Sequence, residues 1–167
     1  NPVIVIGPGD YSRSSAALLT QVARGLRFYP TGTNGSVAAT DVARAAFKLA
    51  AAGTWGERFV VCGFHAPYRD VFRAMATALG VAEPRWPVKR WVAEVAWRLA
   101  RVAEWVTGKP AFVTKQALRT SARHHRYSTE KLAARLGTSW APTPLDEAVR
   151  LTVAHHSFER ERMGGGD

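Results

Sequence analysis

Asn1-Pro2-Val3-Ile4-Val5-Ile6-Gly7-Pro8-Gly9-Asp10 is the stretch whose reading decides the fold. Val3 to Ile6 is an unbroken β-branched run, and such side chains fit a pleated backbone better than a helix. Pro on one side and Gly-Pro-Gly on the other bound it, so it reads as a strand buried on both faces, of the kind found inside a parallel sheet. Such a strand needs neighbours on each side, yet this one opens the sequence with no Met before it. The chain is therefore expected to be a piece of something longer, its leading strand presenting an open edge.

Working outward, strand and helix signals alternate. Ser14 or Ser15 is suited to cap a helix with Leu18, Leu19, Val22 and Ala23 inward, stopped by Gly25. Leu26 to Pro30 and Gly35 to Thr40 read as two short strands joined by the turn formers Thr31-Gly32-Thr33-Asn34. Asp41 is expected to cap the next helix, with Val42, Ala45, Ala46 and Leu49 inward and Gly53 at its end; its carboxylate is read as a capping group rather than a catalytic one. Arg58 to Cys62 reads as a further apolar strand, and Tyr68 to Leu79 as a helix with Val71, Phe72, Met75 and Leu79 inward and Gly80 as its stop. This alternation is that of an α/β protein.

The remainder reads as helical. Val88, Trp91, Val92, Val95, Ala96, Leu99, Val102, Ala103 and Val106 repeat at helical spacing, with Trp97 and Trp105 widening the apolar surface and Arg90, Arg98 and Arg101 opposite. Thr114 is expected to cap a short helix through Arg123, and Ser128 one that reaches Leu136 and stops at Gly137. Thr143-Pro144, followed by Asp146 and Glu147, marks a last helix start. Residues 1–160 thus form one unit, with 161–167 as a flexible tail.

Composition narrows the class. Hydrophobic residues at 47% and charged ones at 22% fit a soluble globular domain. No run approaches the roughly 18 apolar residues of a membrane span, and the first residues show neither the charged nor the apolar region of a signal peptide, either of which a longer precursor could carry upstream. Cys62, the single cysteine, has no intramolecular partner and sits in Phe59-Val60-Val61-Cys62, so burial and a reducing cytoplasm are expected. The net charge of +10 is concentrated: Arg85 to Lys131 holds eleven Lys and Arg against three Glu. That segment marks a nucleic-acid or anionic-membrane partner, or a solvated face. No nucleic-acid module signature accompanies it, so the solvated face is preferred and no nucleic acid is expected.

Chemistry-bearing motifs are sparse. The Gly7-Pro8-Gly9-Asp10 turn, with Arg13 nearby, matches the spacing of neither the dinucleotide fingerprint nor the P-loop. His124-His125 and His155-His156 are adjacent pairs that point about 100° apart on a helix, so no metal site is read from them. Tyr127-x-x-x-Lys131 would place a phenol and an ammonium one helical turn apart, but Tyr127 precedes the expected cap Ser128 and so stands outside the helix. The match is read as accidental.

Several of these stretches occur in one characteristic order: Asn1-Pro2-x-x-Val5-x-Gly7-Pro8-Gly9-Asp10, the strands leading into Asp41-Val42-Ala43-Arg44-Ala45, Glu57 to Val61 with Tyr68 to Phe72, and Tyr127 to Gly137. Together they resemble the C-terminal half of an extended short-chain dehydrogenase/reductase of the NAD-dependent epimerase/dehydratase family, dihydroflavonol-reductase-like. The resemblance implies the C-terminal part of a Rossmann-like NAD(P)-binding fold with a mostly helical substrate-binding lobe, the N-terminal Rossmann half being absent. It implies NAD or NADP as cofactor of the complete protein and a small-molecule carbonyl or hydroxyl substrate, with a homodimer as a further expectation. The family's glycine-rich motif and catalytic Tyr-x-x-x-Lys lie before the strand that opens this chain, so no catalytic residue carries over and the chain alone is expected to be inactive. Asn1, Pro2 and Val3 match the segment that flanks the nicotinamide ring. Arg13, Phe28 and Tyr29 fall in segments that line the substrate cleft. The rival reading is a non-catalytic module that uses the basic 85–131 surface.

Overall fold

The first strand, β1 (Ile4–Ile6), forms within the β-branched run and pairs in parallel with β3 (Thr33–Ala38), Ile4 against Ser36 and Ile6 against Ala38. A parallel pair needs a long crossover, and here it contains α1 (Ala16–Ala23) and β2 (Phe28–Pro30). The computed structural model describes residues 1–9, 16–88, 120–137 and 140–164. β3 then runs antiparallel to β4 (Phe64–Pro67), which gives the sheet order β1-β3-β4. β1 is therefore an outer strand, and only Ile6 of it is fully buried, while Ile4 and Val5 are half-buried. The edge position matches the open edge expected of the leading strand, and both of its faces are covered, Ile6 packing in one core and Val5 against another.

Two expectations are corrected. β2 and β3 form where two strands were read, yet β2 leaves for a second sheet, in parallel with β5 (Trp86–Val88). The strand expected over 58–62 reduces to a bridge between Pro2 and Val61, and β4 starts only after Gly63. Phe59 and Val61 are apolar because they fill a core, and burial alone produces the same sequence signal as a strand.

Helix α2 (Ala39–Ala51) starts two residues before Asp41, so the carboxylate sits in its first turn and the N-cap, Ala38, has no side-chain cap. α3 (Tyr68–Leu79) ends as read, with Gly80 at φ 66° donating its N–H to Ala76 and Thr77 carbonyls; the left-handed backbone favours glycine there. α4 (Glu130–Leu136) follows Ser128, whose Oγ accepts the Glu130 N–H at 3.3 Å. α5 (Leu145–Gly164) runs on through 161–164, the start of the expected tail.

The sheet divides the interior in two. On one side Ile6 and Ala38 meet Leu19, Val22, Phe72 and Val149 from α1, α3 and α5. On the other, Val37 meets Ala45, Phe59, Val61, Leu132 and Leu136, with Val3 and Val5 packed against them. Consecutive strand residues face opposite ways, so one strand supplies both cores. Full burial of Leu19 and of Leu132 contributes about 1.5–3 kcal/mol each.

Candidate functional site

Asn1, Pro2 and Val3 lead into β1. The Asn1 carbonyl accepts the Val61 N–H at 3.1 Å, and the Val3 N–H donates to the Val61 carbonyl at 3.2 Å. The main chain here is thus held on Val61, with Asn1 and Pro2 exposed and Val3 half-buried on the second core. Phe28 and Tyr29 lie in the other sheet. Phe28 is exposed, whereas Tyr29 is half-buried on the first core with the Arg69 guanidinium 6.0 Å over its ring. The two groups of residues therefore stand on different sheets and against different cores. Arg13 lies outside the described residues, as do residues 89–106 of the helix read from Val88, which instead ends β5, and most of the basic 85–131 surface.

Trp86 was not singled out from sequence. It stands directly across from Phe28 in the β2–β5 pair and is exposed beside it. Strands of three residues are too short for alternation to be visible, so no periodic signal pointed to it.

A second cluster joins β3 and β4 to residues 121–127. Gly32 donates its N–H to the Ser121 carbonyl at 3.0 Å, Thr33 its N–H to Arg123 at 3.1 Å, and His125 its N–H to Thr33 at 2.8 Å. A Cβ on Gly32 would stand 2.3 Å from the Ser121 and Arg123 carbonyl oxygens, so this approach needs glycine. His65 Nε2 accepts the Tyr127 N–H at 2.9 Å, and the Tyr127 ring stacks with His65 and His125 at centroid distances of 6.2 and 6.4 Å. Lys131 is engaged elsewhere, 2.9 Å from Glu57 and 4.7 Å over the Phe59 ring. Tyr127 stands outside α4, as the reading of that motif as accidental requires.

The ionisable groups near this cluster are tuned by simple causes. Hydrogen bonds from Lys131 and Arg135 hold the Glu57 carboxyl below its usual value. Burial pushes the Cys62 thiol up. A raised, buried thiol is a poor nucleophile. A cleft of about 660 Å³ opens between β4, α3 and α5 and is lined by His65, Asp70, Arg73, Asp146 and Arg150 among others, none of them a sequence-expected site residue. Among the described residues, no group of three or more His, Cys, Asp and Glu is placed to hold a metal ion, and no helix is long and apolar enough to cross a membrane.

No family model matches the chain, and no curated protein matches it. Solved structures do. The chain is 25% identical to the protein gox2253, with a TM-score of 0.69 over 95% of this chain and 48% of that one. A nucleoside-diphosphate-sugar epimerase from Pseudomonas aeruginosa is 21% identical, with a TM-score of 0.69 over 95% and 47%. The UDP-glucose 4-epimerase of Thermus thermophilus, in complex with NAD, is 20% identical, with a TM-score of 0.57 over 94% and 45%. The chain has the α/β fold of one half of these proteins. It spans about half the length of each of the three.

Proposed function

We propose that the chain is the C-terminal, substrate-binding half of an NAD(P)-dependent oxidoreductase or epimerase acting on a carbonyl or hydroxyl group. The observation that carries this reading is β1, a parallel strand at the margin of its sheet, in a chain that spans about half of NAD-binding structures of the same fold. Asn1, Pro2 and Val3 suit one wall of a nicotinamide site. Pro2 is an exposed apolar ring with no N–H, and the bonds to Val61 leave neither the Asn1 carbonyl nor the Val3 N–H unpaired. Phe28 and Tyr29, with Arg13, form the substrate side. Nicotinamide, when bound, gives or takes a hydride. The residues of this chain hold the substrate against it and exclude water, while the proton donor is expected upstream.

The test is to express the chain alone and joined to the segment encoded immediately upstream, and to follow NAD(P)H oxidation over a panel of ketones. The joined protein is expected to turn over and the chain alone to stay inactive. Pro2→Glu is expected to weaken nicotinamide binding at least tenfold while leaving substrate binding intact. A joined, folded protein that binds neither NAD nor NADP overturns the reading.

A further inference from the structure

Resting on that reading, we infer that Lys131, paired with Glu57 and lying over the Phe59 ring, is a positioning residue for the wall of the nicotinamide site formed by Asn1, Pro2 and Val3. The register of β1 on β3 begins at Ile4, so these three residues precede it. Residues 59–61 hold them instead. The Asn1 nitrogen donates to the Phe59 carbonyl at 2.8 Å, the Val61 N–H to the Asn1 carbonyl at 3.1 Å and the Val3 N–H to the Val61 carbonyl at 3.2 Å. Residues 57–61 lie outside every strand of the two sheets, and Val61 joins Pro2 through an isolated bridge. A segment without a ladder of its own takes its position from what packs on it.

That packing comes from α4. Lys131 and Arg135 stand one turn apart on one stripe of the helix, and Leu132 and Leu136 on the neighbouring stripe. The leucines are buried in one core with Phe59 and Val61, against which Val3 packs. Apolar burial is non-directional, so it fixes how deep the segment sits and not how far it slides. The charges fix the slide. Lys131 Nζ is 2.9 Å from Glu57 Oε2 and the Arg135 guanidinium 2.9 Å from Oε1, so each carboxylate oxygen has its own cation. The same Nζ lies 4.7 Å from the centre of the Phe59 ring, within cation–π reach. Lys131 therefore grips Glu57 and Phe59 at once, and the main-chain bonds of Phe59 and Val61 carry that register to Asn1 and Val3. A wall that slides loses its fit to the nicotinamide ring, while Phe28 and Tyr29, on the other sheet, are untouched.

The experiment compares the parent with Lys131→Met, which keeps the apolar stem and removes the charge, and Lys131→Arg, which keeps the charge. In the chain alone, amide exchange at Val3 and Val61 is expected to be at least about threefold faster in Lys131→Met, the scale of one exposed ion pair, and close to the parent in Lys131→Arg. The Ala148 amide, bonded to the Pro144 carbonyl at the start of α5, is expected to be unchanged in both. In the joined protein, Lys131→Met should raise the KM for NAD(P)H about threefold to tenfold and leave the KM for the ketone unmoved. Because Glu57, Lys131 and Arg135 are all exposed, the ratio of variant to parent cofactor KM should fall toward one in high salt. Unchanged exchange at Val3, equal acceleration at Ala148, or a cofactor KM that Lys131→Met leaves alone overturns the inference. The exchange measurement involves no nicotinamide, so the two claims fail separately. Faster exchange confined to Val3 and Val61, in a protein whose joined form never binds NAD or NADP, leaves the grip of α4 on Asn1–Val3 and removes the oxidoreductase reading.

Discussion

Replacing Asp41 tests the energetic link between α2 and the start of α5. Its side chain is fully buried: one carboxylate oxygen accepts the Thr143 N–H at 2.7 Å, the other accepts the Thr143 hydroxyl at 3.0 Å, and Arg44 pairs with it from the next turn. A hydrogen bond to a charged group contributes about 1.5–3 kcal/mol. The Arg44 side chain is half exposed and regains water when its partner is lost, which removes most of its share. Asp41→Ala is therefore expected to destabilise by about 3 kcal/mol, the lower end for breaking a buried pair. Asp41→Asn keeps the shape and both bonds to Thr143, its amide oxygen accepting the N–H and its amide nitrogen donating to the hydroxyl oxygen, but it loses the charge and sets a donor against Arg44, at about 2 kcal/mol. Thr143→Ala loses only the hydroxyl, at about 1 kcal/mol. Urea denaturation followed by circular dichroism measures all three and the Asp41→Ala/Thr143→Ala double variant, which should fall short of the summed singles by about 1 kcal/mol. If the Asp41→Ala and Thr143→Ala effects add, the bonds to Thr143 carry no stability, and if Asp41→Asn lies within about 0.5 kcal/mol of the parent the buried charge carries none; either result refutes the reasoning.

Other outcomes follow from single contacts. Cys62, buried and with its thiol pushed up, should react with a thiol reagent at pH 8 at least ~100-fold more slowly in the folded chain than in urea; comparable rates would contradict its burial. Because the folded state disfavours its thiolate, Cys62 should also lower stability as pH rises above its ordinary value of 9.0, and Cys62→Ala should remove that fall. Glu57 is held below its ordinary 4.5 by Lys131 and Arg135, so its contribution is present above that pH and lost as pH falls through the folded value. Stability curves of parent and Glu57→Gln should accordingly converge in acid and in high salt. Gly32→Ala would press a methyl onto two backbone carbonyl oxygens and should cost about 3 kcal/mol or more; it should also speed amide exchange at His125, whose N–H bonds to Thr33, and unchanged exchange would argue against the docking of 121–125.

The parts of the fold that were legible in the sequence are those encoded locally. α3 carries its period in Val71, Phe72 and Met75 and its stop in Gly80, and the Thr143-Pro144 start marked α5. β4 was not legible, because Phe64-His65-Ala66-Pro67 has little strand preference and becomes a strand by pairing with β3. Asp41 was read as a local cap, since its true partner is 102 residues away and sequence spacing carries no trace of such a contact. For the candidate site, Asn1, Pro2 and Val3 entered only through their resemblance to a known segment and not through any chemistry of their own. Trp86 was not singled out because its place opposite Phe28 exists only once two distant strands pair.

The β1–β3 wall has a consequence for how such a protein changes over time. Val5 and Val37 anchor it from the α2–α4 side, whereas Ile6 and Ala38 serve the side that carries Tyr29 and its ribbon. Residues around α1, α3 and α5 can thus change while the opposite layer keeps the leading strand in position. The two layers become separable, so a substitution packed on one need not be matched by a substitution on the other.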